Sequence, residues 1–155
     1  MKYILIITFS LLTSFGNECK EKFEIVKATS QNWFGGQART GKGTYFELTI
    51  VPKVNSEKLK FDQLWIGSDF FEIQCYQKGK RIKNNTFGPG DTITITVNQT
   101  MKPEPLPFVE EETHESDPLP PFEFKGKALL SYTLNSKRKY KVIEEFTKLE
   151  DLLYP

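Results

Sequence analysis

The chain of 155 residues is poor in the groups that build most reactive centres. It has two Cys, one His, two Met and two Trp. So few Cys and His exclude a zinc ribbon, a His-rich metal cage and the usual haem ligations. It also lacks an excess of either charge: 21 Lys and Arg stand against 20 Asp and Glu, a formal net charge of +1. That balance argues against a nucleic-acid partner, which a basic patch would mark. No apolar run reaches the ~20 residues of a membrane-spanning helix, so no transmembrane span is expected in the mature chain. What is abundant is the aromatic class, at 14% with 13 Phe and 6 Tyr. That supply is enough for one packed domain and excludes bulk disorder.

The first 16 residues read as a signal peptide. Lys2 provides a positive start, residues 3–15 are uncharged and mainly apolar, and Ser14 and Gly16 form a small-x-small cleavage site. The expected domains are therefore a leader, 1–16, and a single β-sandwich domain, 17–155, with export to the periplasm or the exterior. Removing the leader takes Lys2 with it and leaves 20 basic against 20 acidic groups.

Cys19 has three readings. An oxidising compartment favours a bridge to Cys75, which on the chain-entropy model would stabilise by about 4 kcal/mol. A Cys following an apolar stretch also resembles the lipid acceptor of an envelope lipoprotein, although Glu18 and Gly16 depart from that pattern. The third reading is two free thiols.

Beyond residue 20 the hydrophobic period is two. Strands are expected at 23–29, 44–51, 59–66, 69–76, 91–97, 124–134 and 138–147. In the second, Phe46, Leu48 and Ile50 share a face. In the third, Leu59, Phe61, Gln63 and Trp65 do; in the fourth, Phe71, Ile73 and Cys75; in the fifth, Ile93, Ile95 and Val97. Gly67-Ser68 and Asn135-Ser136 read as hairpin turns, and Gly88-Pro89-Gly90 launches the fifth strand. Arg138–Ile143 favours a strand, while Val142, Phe146, Leu149 and Leu153 also fit a helical face, so residues 144–153 stay open between strand and a C-terminal helical turn. Seven alternating strands without a long helix need a second sheet to cover each apolar face. The expected fold is an all-β, antiparallel seven-stranded sandwich, immunoglobulin-like, with one long Pro-rich acidic loop; an open barrel or jelly roll is the alternative.

Gly36 to Gly43 nearly spells a phosphate-binding loop. Gly43 replaces the required hydroxyl, and a strand follows where a helix is needed, so no nucleotide site is inferred. The same Gly-rich segment carries Trp33, Phe34 and Arg39, a candidate binding loop for a protein, peptide or glycan. Residues 103–121 hold six Pro and six acidic residues without a Lys or Arg. Glu110, Glu111, Glu112, His114, Glu115 and Asp117 form a candidate acidic loop, but their spacing is not that of a calcium loop. Basic runs at Lys78, Lys80, Arg81, Lys83 and at Lys137, Arg138, Lys139, Lys141 offset it.

No catalytic, metal or cofactor-binding residue is singled out. The only His lies among carboxylates, which favour its protonated form. The expected role is a non-enzymatic binding or interaction module; a small carboxylate-dependent hydrolase and a structural lipoprotein anchored at Cys19 are the alternatives. As a whole, from the leader through Lys27–Gly36, Lys58–Gly67 and Gly90–Val97, the chain resembles small exported bacterial proteins of unknown function. That resemblance implies a location and leaves the ligand open.

Overall fold

The computed structural model describes residues 21–36, 41–83, 86–101 and 117–155. These residues form an all-β fold of two sheets. Eleven strands follow in order: β1 Phe23–Phe34, β2 Lys42–Pro52, β3 Leu59–Ile66, β4 Asp69–Glu72, β5 Cys75–Gln77, β6 Lys80–Arg81, β7 Ile93–Met101, β8 Ala128–Leu134, β9 Lys137–Ile143, β10 Thr147–Lys148 and β11 Leu152–Leu153. One sheet runs β10-β1-β2-β7-β5-β6, with β11 also on β1; the other runs β4-β3-β8-β9.

The two-residue alternation is what closes the core. Leu48, Ile50, Ile93 and Ile95 come from one sheet, and Leu59, Phe61, Leu64, Ala128 and Leu130 from the other; all are buried at 1% exposure or less. Burial of this kind is worth about 1.5–3 kcal/mol per large side chain. Aromatic edges fill one end: Phe23 meets Phe61 at 5.0 Å and Tyr132 at 4.9 Å between centroids, both edge-on. At the other end Phe46 packs against Phe146 at 5.0 Å, both rings partly buried.

Turn chemistry sets the register. Asn135 (φ 49°) and Ser136 (φ 63°) both occupy the left-handed region, and Leu134 pairs with Lys137. That is the two-residue geometry that matches strand twist. Gly67, at φ 61°, turns β3 into β4. At the Gly88-Pro89-Gly90 turn, Asp91 Oδ2 accepts from the Gly88 amide at 2.7 Å, and the Gly90 amide donates to the Pro52 carbonyl.

Three expectations are corrected and one open choice is decided. The larger sheet is mixed, not antiparallel throughout, because β10 and β11 pair with β1 in parallel. Residues 144–153 are therefore extended segments and not a helical turn. The expected fourth strand, 69–76, divides: β4 stays with β3, and after Ile73-Gln74 the chain enters the other sheet as β5. The alternation continues through the crossover, so no Gly or Pro marks it. Trp65 leaves the core. Phe61 pairs with Tyr132 and Gln63 with Ser131, so Asp62 is an extra, bulged residue. A bulge shifts the pleat by one, which sends Leu64 and Ile66 inward and Gln63 and Trp65 outward.

Candidate functional site: an aromatic face on the larger sheet

The end of β1 carries the site. Trp33 and Phe34 belong to this strand, not to a loop, because β1 runs five residues past its expected end at Thr29. Register places Trp33 opposite Gly43 and Gln31 opposite Tyr45, with Asn98 beyond Tyr45 on β7. These residues lie on the outer face, since Ala28, Leu48 and Ile95 occupy the inner one.

Gly43 makes room for the indole. A Cβ there would lie 2.7 Å from Trp33 Nε1 and 2.5 Å from the Gln99 carbonyl. The indole therefore lies flat across the strand and donates from Nε1 to Asn98 Oδ1 at 2.8 Å. Its ring stands 6.0 Å from Tyr45 with planes tilted by 30°, and 6.4 Å from Tyr154 at 71°.

Tyr154 reaches the face because the C-terminal segment adds to β1. The Leu149 amide donates to the Ser30 carbonyl, and the Tyr154 amide to the Phe34 carbonyl at 2.9 Å. Side chains fix the intervening turn: Gln31 Nε2 donates to the Glu150 carbonyl at 2.8 Å, and Asn32 Nδ2 to Asp151 Oδ1 at 3.1 Å. Gly36 lets the last residues pass close, with its Cβ position 2.3 Å from the Pro155 carbonyl carbon. A hydrogen bond with Tyr154 holds the Tyr45 phenol above its ordinary pKa, aided by partial burial.

The result is a half-open platform of three rings, edged by the side-chain amides of Asn98 and Gln31. Tyr154 is 46% exposed. Asn98 uses its oxygen on Trp33, which leaves its NH2 group without a partner among the described residues. Such a surface combines stacking faces with directional donors.

Of the residues expected in the binding loop, Trp33 is central, while Phe34, 36% exposed, alternates onto the opposite face of β1 with Ser30 and Asn32. Arg39 lies outside the described residues. Tyr45 was legible as outward-facing, since Phe46, Leu48 and Ile50 take the other face. Tyr154 carried no signal, because a two-residue parallel bridge leaves no period to read. In the acidic loop, Glu110, Glu111, Glu112, His114 and Glu115 lie outside the described residues, while Asp117 is exposed. No group of His, Cys, Asp and Glu among the described residues is placed to hold a metal.

Cys75 is fully buried in the core and has no disulfide partner among the described residues. Burial pushes it up to about 11, which keeps it protonated and unreactive at neutral pH. Cys19 lies outside the described residues. Of the basic runs, Arg138 is held by Asp62 Oδ2 at 2.6 Å and Gln63 Oε1 at 3.1 Å. Lys141 pairs with Glu21, whose carboxyl it draws below the ordinary value. Lys78, Lys80 and Arg81 form the exposed β5–β6 hairpin. No helix among the described residues is long and apolar enough to cross a membrane.

No protein-family model matches the chain, and searches of the curated proteins and of the solved structures gave no match.

Proposed function

We propose that this is an exported binding protein whose β-sandwich presents the Trp33–Tyr45–Tyr154 platform to a glycan. The observation that carries the reading is the convergence of three rings and two side-chain amides on one outer sheet face. A pyranose has an apolar C–H face and a rim of hydroxyls. The face stacks on flat rings, and the rim meets amide donors and acceptors. A protein or peptide partner would more often need a desolvated pocket for an anchor side chain. The role is binding, not catalysis.

The scaffold reading is immunoglobulin-like. Without the short segments β6, β10 and β11, the strand orders β1-β2-β7-β5 and β4-β3-β8-β9 parallel the A-B-E-D and C′-C-F-G sheets of that arrangement. Export rests on the leader-like residues 1–16. Intact mass of the exported protein, with and without reductant, tests that leader and separates a Cys19–Cys75 bridge from a lipidated Cys19.

The binding test is titration with a panel of soluble oligosaccharides, followed by calorimetry and indole fluorescence. An open platform of this size should bind in the range of about 10 μM to 1 mM. Trp33→Ala should abolish binding, and Trp33→Phe, which keeps a ring but loses the bond to Asn98, should weaken it several-fold. Binding unchanged in both variants, or no saturable response to any glycan, would refute the proposal.

A further inference from the structure

The outer face of the smaller sheet carries a second aromatic surface, and a piece of this chain already lies on it. Trp65 pairs with Phe70 and Leu129, and Tyr140 with Ser131, so these side chains share the face opposite the core. Trp65 stands 5.5 Å from Phe70 and 6.4 Å from Tyr140. Trp65 is 3% exposed and Leu129 is fully buried, although neither belongs to the core cluster.

Residues 117–122 provide the cover. Three of the four residues 118–121 are Pro, which fixes φ near −65°, and each Pro pushes the residue before it toward the extended region. That is the polyproline II shape, reached at low entropic cost and with carbonyls left open. The Pro118 carbonyl accepts from Trp65 Nε1 at 2.9 Å. Phe122 meets Tyr140 edge-on at 5.3 Å. An indole N–H donating to a prolyl carbonyl on an aromatic-lined surface is the chemistry by which Pro-rich peptides are recognised.

The segment is lightly seated. Leu119 is 78% and Phe122 45% exposed, and an open depression of about 690 Å³ is lined by Leu119, Pro120, Phe122 and Phe124 together with Gly67 and Ser68. Ser131 Oγ, buried on the same face, has no hydrogen-bond partner among the described residues. We infer that the Trp65–Phe70–Tyr140 face is a recognition surface for proline-rich peptides, occupied in cis by residues 117–122 and open to a Pro-rich partner when they lift. This site is separate from the Trp33 platform.

The test uses a Trp33→Phe background, which leaves Trp65 as the sole indole. Replacing Pro118, Pro120 and Pro121 with Ser should shift Trp65 emission to the red with the far-ultraviolet dichroism unchanged. A synthetic peptide of residues 117–124 added in trans should then restore the blue emission saturably. The same peptide with Ala for each Pro should bind at least tenfold more weakly. A folded variant with no saturable response, or equal response to both peptides, overturns the inference. Should the triple variant fail to fold, Trp65→Phe in the otherwise intact chain gives the second readout. Loss of the N–H should speed chymotryptic cleavage at Phe122 and Phe124 several-fold, and an unchanged rate would likewise overturn it.

Discussion

Gly43→Ala separates the geometry of this site from general rules about strands. Alanine in a strand interior normally exceeds glycine in stability by about 0.5–1 kcal/mol, because glycine loses more backbone freedom on folding. Gly43 has an ordinary strand conformation, so that gain applies in full. Against it stand two contacts. The added methyl would lie 2.5 Å from the Gln99 carbonyl and within 2.8 Å of the Trp33 indole. The carbonyl belongs to β7 and cannot retreat without disturbing the ladder from Lys42 to Ile50.

Overpacking of this kind costs about 1–3 kcal/mol. If the indole swings away, its bond to Asn98 goes too, worth about 0.5–1.5 kcal/mol net. The net expectation is a loss of about 1–3 kcal/mol, opposite in sign to the general rule. Urea unfolding followed by dichroism should show the midpoint falling by roughly 1 M at an ordinary slope of about 1–3 kcal/mol per M. Glycan affinity should fall with it, since the platform loses its central ring. Gly67→Ala is the control: φ is 61° and nothing lies within 4 Å, so only backbone strain should register. A Gly43→Ala protein equal to or more stable than the parent would refute the placement of Trp33 over β2.

Three other outcomes follow from named contacts. Ser136→Gly should stabilise the β8–β9 hairpin by about 1 kcal/mol, because Ser136 sits at φ 63° where an L side chain is strained; a lower melting temperature would contradict the turn geometry. Leu129→Ala should cost about 2–5 kcal/mol, as a core leucine does, and a cost below about 1 kcal/mol would show that residues 117–122 do not cover it. For Cys75, the folded pKa of about 11 lies above its ordinary 9.0, so the native state holds the proton more tightly. That stability is complete below pH 9 and is lost as pH rises toward 11, at about 1.4 kcal/mol per unit. Cys75→Val should remove this component from unfolding curves between pH 8.5 and 11, and identical slopes would place the thiol in a bridge or at the surface.

The strands were legible because the burial rule acts locally. Ile93, Ile95 and Val97 alternate with Thr92, Thr94 and Thr96, and nothing distant alters which face they take. The strands expected at 44–51 and 59–66 were equally plain, as was the turn at Asn135-Ser136. What escaped were single-residue events. Val26 is unpaired between Ile25 and Lys27, and Asp62 between Phe61 and Gln63. Each changes which residues are inside for the remainder of its strand, yet neither is a Gly or Pro.

The bulge at Asp62 decides the character of the smaller sheet. Without it, Trp65 would enter the core and Leu64 would face solvent. With it, Leu64 fills the core at 1% exposure and the largest side chain of the strand is delivered outside. An exposed Trp beside Phe70 and Tyr140 would make an aggregation-prone patch, so a cover is required. The end of the Pro-rich acidic loop supplies that cover, through Pro118 and the Phe122 that follows it. The bulge also positions Asp62 to hold Arg138, which takes one of the basic residues on β9 out of circulation. Prolines thus act here as a pre-stiffened strap, and the loop and the misassigned tryptophan have one structural cause.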